Sequence, residues 1–382
     1  MKRRHFIQVC ASGWVMANAA PLLANTQTGV TTNKKVIWVM LRGAMDSLHA
    51  VIPTFDPALI GHRKVLLDNI KGDLNPLHDG YALHPAFTHM YDWYKQGTLL
   101  PVVAVAPSHT TRSHFDAQDL LESGLDVTDH DSGWLARTLA AYQGEGLAIA
   151  RSVPISLRGD NKPNTWFPSS LPDADDDLFA RLEGLYKNDN ELAQTLKQGI
   201  QTRQSMAMGK SKKRTPKFAQ LTKSCGELMA KTPNTTCAML EMGGWDTHNN
   251  QAGRLHRQFS LLDDGLNILK ESMGKTWDDT LVVVGTEFGR TVAVNGTQGT
   301  DHGTASALFL AGGAVKGGRV AGSWPGLDKD ALFEGRDLKP TSDIRSWIGA
   351  AVAQHLQLTP KQMQGIFPDV SIVTDQLITR HV

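Results

Sequence analysis

Charge bias is the first thing this chain lacks. Lysine plus arginine number 39 and aspartate plus glutamate 38, a formal net charge of +1 over 382 residues. Such a balance leaves no extended positive field on which nucleic acid or an anionic membrane could settle. Cysteine is scarce as well, at three residues, which excludes a disulfide scaffold as the source of stability. Past the N-terminal segment there is no run of about 20 apolar residues, the length that crosses a bilayer, so no membrane span is expected in the mature chain. Internal repeats and low-complexity linkers are missing too. What remains is long enough to bury a large α/β core.

The N-terminus breaks this evenness. Lys2, Arg3 and Arg4 are followed by His5, Phe6 and Ile7, and residues 9–24 are weakly apolar and nearly uncharged. Ala17-Asn18-Ala19 offers small residues for cleavage, and the stretch ending at Ala24 offers a second exit. That order of parts is a signal-peptide layout, and the adjacent arginines point to the twin-arginine route. The expectation is a signal peptide over residues 1–24, folding in the cytoplasm, and delivery to the periplasm by the twin-arginine translocase. Cys10 has no small residue before it and does not read as a lipidation site. Cys225 and Cys237 remain after cleavage. Cys237 lies in an apolar stretch, where a small buried thiol is the commoner finding, so both are expected free.

From about residue 30 onward, short apolar runs alternate with helical patterns, the rhythm of a mostly parallel sheet flanked by helices. Strands are expected over residues 36–41, 99–105, 148–157, 236–242, 281–284 and 305–311. Helices are expected over 85–94, 254–273 and 343–355. Residues 173–217 are helical in pattern but polar and end in the basic run 209–217. They read as a helical cap inserted into a single domain spanning 30–382, with the basic run a solvated loop.

Ionisable clusters follow these strands one after another. Residues 36–41 lead into Arg42-Gly43-Ala44-Met45-Asp46-Ser47, and 99–105 into a loop ending at His114, then a helical pattern through Asp116 and Glu122. After 236–242 comes Gly243-Gly244-Trp245-Asp246-Thr247-His248, and after 281–284 comes Gly285-Thr286-Glu287-Phe288-Gly289-Arg290. Asp301-His302-Gly303 precedes the last strand. Open α/β sheets bind ligands outside the carboxyl ends of their strands, so one rim is expected to gather these groups. Carboxylates converging with neutral imidazoles suit zinc or manganese, and magnesium or calcium less well. Asp246, His248, Glu287 and His302 are the natural ligands, with His114, Asp116 and Asp301 as additional candidates. Ser113 stands where it can either cap a helix or present its hydroxyl beside the positive helix end. Arg112 and Arg290 are suited to gripping the oxygens of a phosphate or sulfate, and equally to internal ion pairs. His49, His62, His78, His84, His89 and His256 have no such context and read as structural.

Taken in order, Leu-Arg-Gly-Ala-Met-Asp (41–46), Arg-Ser-His-Phe-Asp-Ala-Gln-Asp (112–119), Gly-Gly-Trp-Asp-Thr-His (243–248), Thr-Glu-Phe-Gly-Arg (286–290), Thr-Asp-His-Gly (300–303) and Gly-Gly-Arg-Val-Ala-Gly (317–322) closely resemble the exported bacterial family called domain of unknown function 1501. That family looks like a branch of the alkaline-phosphatase and sulfatase superfamily. The resemblance implies an alkaline-phosphatase-like fold, with Asp46 as the first metal-binding Asp and Ser113 (less well Ser108) as nucleophile. It further implies that Asp246, His248 and His302 are ligands and that Glu287 replaces the Asp of an Asp-His pair. Phe288 stands where the His of that pair belongs, the Asp246–His248 spacing is shorter than in the phosphatases, and no Cys occupies the nucleophile position. A one-metal or altered site is therefore as consistent with the motifs as a two-metal one. Two functions follow: an exported metal-dependent hydrolase of small anionic phosphate or sulfate-type esters, or a non-catalytic binding or assembly protein that keeps the fold.

Overall fold

Alternation along the first long strand sets the layering. In β1 (Lys35–Arg42) the side chains of Ile37, Val39 and Leu41 enter one core and those of Val36, Trp38 and Met40 enter another, all of them fully buried. A strand buried on both faces requires helices on both sides of its sheet. The computed structural model describes residues 34–168, 176–205 and 217–379. The expected twin-arginine signal and both cleavage positions lie outside the described residues, as does the basic run apart from Lys217.

The further strands are β2 (Val51–Pro53), β3 (Asn75–Pro76), β4 (Tyr81–Leu83), β5 (Leu99–Ala106), β6 (Glu145–Ala148), β7 (Asn164–Thr165), β8 (Thr235–Gly243), β9 (Thr280–Thr286), β10 (Ser306–Ala311) and β11 (Ser342–Asp343). Eight of them form one sheet in the order β11-β5-β10-β9-β1-β8-β6-β7, and β2-β4-β3 form a small second sheet. The large sheet is parallel except for β10, which runs against both β5 and β9. Helices Thr88–Lys95, Phe218–Lys231 and Gln251–Met273 cover the Val39 face. Helices His114–Ser123, Trp134–Tyr142, Ile344–Leu356 and Pro360–Ile366 cover the Trp38 face. Among the described residues no helix is long and apolar enough to cross a membrane.

Register decides which loops meet. Arg42 pairs with Gly243 and Leu41 with Thr286, so the chain leaves β1, β8 and β9 at adjacent points of one rim. Ser306 pairs with Val105, which brings the segment entering β10 to that same rim. Had β10 been parallel, residues 301–303 would sit at the opposite edge.

Most expected strands form within two residues of the anticipated bounds, while the helices expected from 85 and 254 begin at Thr88 and Gln251. The expected strand over 148–157 is the exception: the strand is β6, ending at Ala148, and Ile155–Leu157 is a 3-10 turn. Pro154 interrupts the apolar run, and a proline has no N–H to give a ladder. In the polar region, helices Asp176–Tyr186 and Asn190–Ser205 pair with one another, and the second packs on Phe218–Lys231. Cys225 and Cys237 are buried and unbridged, and burial pushes both thiols up.

One histidine cluster lies in the core. His49, His84 and Phe259 pack with ring centroids 5.0–6.2 Å apart, and His256 stands against His84 at 5.5 Å. Neither ring nitrogen of His49 has a hydrogen-bond partner. Burial pushes His49 down to about 4 and His84 down to about 3. These values lie below those of the unfolded chain, so acid protonates the unfolded state first. Stability is therefore full above about pH 6.5 and falls as pH drops toward 4. Urea midpoints are expected to fall between pH 7 and pH 5, with His49 alone contributing about 2 kcal/mol of the loss. His49→Leu is expected to flatten that slope; an unchanged slope would show that His49 is not the group responsible.

Candidate metal centre

The rim carries a cluster of three imidazoles and two carboxylates, brought together by the connections that follow β5, β8 and β9. His114 is the first residue of helix His114–Ser123, which Ser113 caps by accepting from the Asp116 N–H at 3.5 Å. Asp246 and His248 come from the turn after β8. Trp245 anchors that turn: it is fully buried, and its Nε1 donates to the Met242 carbonyl at 2.9 Å. Gly43 (φ +117) lets the loop after β1 press against it, since a Cβ there would stand 2.6 Å from the Asp246 nitrogen. Only glycine holds that conformation without steric cost. Glu287 follows β9 directly, and His302 precedes β10.

Each imidazole is fixed through its Nδ1. His302 Nδ1 lies 2.9 Å from the Arg112 carbonyl, His114 Nδ1 2.7 Å from Glu287 Oε1, and His248 Nδ1 3.0 Å from Asp301 Oδ1. These oxygens accept, so Nδ1 carries a proton in every ring, and a neutral ring then has its Nε2 lone pair free for a ligand. The three Nε2 atoms face one another. His302 Nε2 stands 3.0 Å from His114 Nε2 and 3.2 Å from His248 Nε2. Asp246 completes the group, with Oδ1 2.9 Å from His248 Nε2 and 3.4 Å from His302 Nε2, and Oδ2 3.6 Å from His114 Nε2. Among the described residues, His114, Asp246 and His302 each offer a ligand atom, all within 4.8 Å of one another.

Nitrogens at such separations need a proton or a cation between them, because facing lone pairs repel. The surroundings supply the complementary bias. Burial alone would raise the Glu287 carboxyl, but hydrogen bonds from His114, Thr286 and Gln118 outweigh it and hold the group below its usual range. Burial likewise opposes ionisation of Asp246, and the bond and charge of Arg290 overcome it. The Glu287 hydrogen bond holds His114 above the ordinary histidine value against its burial. Burial pushes His302 down. A nitrogen and carboxylate donor set, with each His braced by an oxygen behind it, fits a divalent cation.

The other expected site residues fall into place around this group. Glu287 is fully buried and acts behind His114: its Oε1 accepts from Gly43 N, His114 Nδ1 and Gln118 Nε2 at 2.7–2.8 Å, and its Oε2 from Thr286 at 2.7 Å. Asp301 holds His248 and Asn295. Arg290 is buried, donates to Asp246 Oδ1 at 2.7 Å and also binds Thr300, so its guanidinium orients the carboxylate. Arg112 bonds Glu334 and Asp337, both at 2.8 Å, while its Nε is buried without a partner. Asp116 is exposed on the first turn of its helix.

Asp46 lies one layer below. Its Oδ2 accepts from Arg63 and Gln251, both at 2.5 Å, and its Oδ1 caps the short helix Ser47–Ala50 through Leu48 N. Gln251 Oε1 accepts in turn from Thr247 and Thr300, and Thr300 Oγ1 accepts from Arg290 Nε. Asp46 is thus tied to Asp246 through Gln251, Thr300 and Arg290. Arg63, Gln118, Gln251 and Thr300 escaped the sequence reading. Arg63 carried one legible signal: it lies four residues after Leu59 and three before Leu66, and a charge on an apolar helix face needs a buried partner.

A second grouping, His89 with Asp263 and Asp264, has a plainer role. Asp263 accepts from the backbone of Thr88, His89 and Met90 and from the Thr88 hydroxyl, which makes it the cap of helix Thr88–Lys95.

Comparison with known proteins yields one family and several distant folds. Among solved structures, Ps i-CgsB in complex with k-i-k-neocarrahexaose is 11% identical, with a TM-score of 0.46 over 87% of this chain and 74% of that one. The lipoteichoic acid synthase LtaP from Listeria monocytogenes is also 11% identical, with a TM-score of 0.39 over 87% and 74%. Alkaline phosphatase from the Antarctic bacterium TAB5 is 13% identical, with a TM-score of 0.38 over 74% and 91%. No curated protein matches the sequence. The family model described as protein of unknown function (DUF1501) matches residues 123–367, well over half of the chain. The chain belongs to that family, DUF1501.

Proposed function

We propose that this protein is a metal-dependent hydrolase of small anionic esters of the phosphate or sulfate type, exported to the periplasm by the twin-arginine route. The observation that carries the reading is the meeting of three Nε2 atoms, each ring fixed by an oxygen on its Nδ1, around the Asp246 carboxylate. His114, His248, His302 and Asp246 would hold the ion, zinc or manganese by donor type. A bound divalent ion supplies Lewis acidity toward an ester oxygen. The chain's own residues do the rest. Glu287, Asp301 and the Arg112 carbonyl fix the rings, Arg290 fixes Asp246, and Ser113, the helix cap one residue before His114, is the candidate hydroxyl.

The test is metal analysis of the purified chain together with a screen of phosphate, sulfate and phosphonate esters. About one equivalent of zinc or manganese per chain, and turnover lost on chelation and restored by the metal, is the expected result. A metal-free chain that cleaves no ester, with or without added metal, would sink the proposal. Ser113→Ala separates two routes of attack: lost turnover with metal retained assigns the hydroxyl, and unchanged turnover assigns water. One observation favours the non-catalytic alternative. Both Arg112 and Arg290 are engaged in internal ion pairs, which leaves fewer groups to grip an oxyanion.

A further inference from the structure

A cleft of about 370 Å³, within the size range of small-molecule sites, is lined by Asp119 and Glu122 toward the end of helix His114–Ser123. Its floor is Arg42 at the end of β1, clamped between Glu122 Oε1 at 2.5 Å and Glu241 Oε2 at 2.6 Å. This floor is built, not incidental: the Glu122 side chain is only 2% exposed, and its Oε2 accepts from Ser156 N at 3.1 Å. One helix face links it to the metal cluster. His114, Gln118 and Glu122 succeed each other at intervals of four residues, so Glu122 lies about 12 Å along the helix from His114. Gln118 bonds both ways along that face, to Glu287 and to Arg42.

The cleft's charges cancel. Arg42, Arg151 and Arg158 face Asp119, Glu122 and Glu241. Phe167 lies at the same cleft with the Arg151 guanidinium 5.0 Å from its ring centroid, and Val153 and Ile155 add apolar wall. Arg42 and Glu122 are spent on one another, so a net anion would meet Asp119 and Glu241 there, and a net cation Arg151 and Arg158. A hydroxyl is suited to both, since it donates to a carboxylate and accepts from a guanidinium at once. An apolar wall beside both donors and acceptors therefore suits a neutral ring that has one apolar face and a hydroxyl-bearing edge.

We propose that this cleft is a subsite for a neutral saccharide unit, which holds the non-reacting part of a substrate whose ester reaches the metal cluster. Only the role in turnover rests on the hydrolase reading; binding does not. The experiment is titration calorimetry of the full chain with neutral oligosaccharides of glucose, galactose, mannose and N-acetylglucosamine, and with their sulfated counterparts. At least one neutral oligosaccharide is expected to bind. Phe167→Ala and Glu241→Gln are each expected to weaken that binding about tenfold, whereas Asp246→Ala leaves it unchanged. Glu241 is half-exposed on the cleft, so its replacement keeps the test open if Phe167→Ala impairs folding. Binding of sulfated ligands alone, no binding of any neutral one, or binding indifferent to both cleft variants would overturn the subsite. Saccharide binding without hydrolysis of any ester would instead defeat the hydrolase reading and leave the subsite standing.

Discussion

His302→Ala is expected to leave the purified chain without bound divalent ion and without hydrolysis of any ester that the parent cuts. Its Nε2 is the atom common to both imidazole pairs, 3.0 Å from His114 and 3.2 Å from His248, so its removal leaves two rings and a carboxylate with no shared nitrogen. Glu287→Gln is the graded companion. The amide keeps the shape but loses the charge that His114 Nδ1 meets at 2.7 Å, and the expected loss is about 10–100-fold in metal affinity. Competition with a chromophoric chelator measures both. If metal content is unchanged in His302→Ala, the ion is held elsewhere.

Arg63→Ala is the stability counterpart, with an expected cost of about 3–5 kcal/mol. Arg63 and Asp46 meet at 2.5 Å with each side chain 1% exposed. The guanidinium also serves the Val292 carbonyl at 2.7 Å and the Thr291 carbonyl at 2.6 Å. Its loss strands a buried carboxylate that retains only Gln251 and the Leu48 N–H. Denaturant unfolding of Arg63→Ala, Asp46→Asn and the double variant closes the cycle. The double variant is expected to be less destabilised than the sum of the singles, because the stranded charge is removed with its partner. Additive losses would show that the pair is not coupled.

Much of the architecture was legible because burial on both faces writes itself as continuous apolar runs. Residues 36–41, 99–105, 236–242 and 281–284 each lie within an observed strand. The strand over 148–157 was misplaced because apolar residues resume after Pro154 and disguise a turn. In the site, Asp246, His248 and His302 stood out by composition at strand ends. His114 ranked lower because its position is equally that of an ordinary first helical residue behind a capping serine. Arg290 and Glu287 were found by residue type, but whether each would touch a ligand or brace one that does is invisible in sequence.

What the sequence by itself determined is the inventory: which strands are buried, which loops carry imidazole and carboxylate, and that charge is balanced in total. Only the tertiary structure decided which of those groups meet. The reversal of β10 carries His302 to the rim shared by β1, β8 and β9, and the Arg63 guanidinium draws Asp46 beneath it. The physical reason is the same in both cases. Strand direction and ion pairing across 17 or more residues are settled by long-range packing and desolvation, and local pattern carries no record of either.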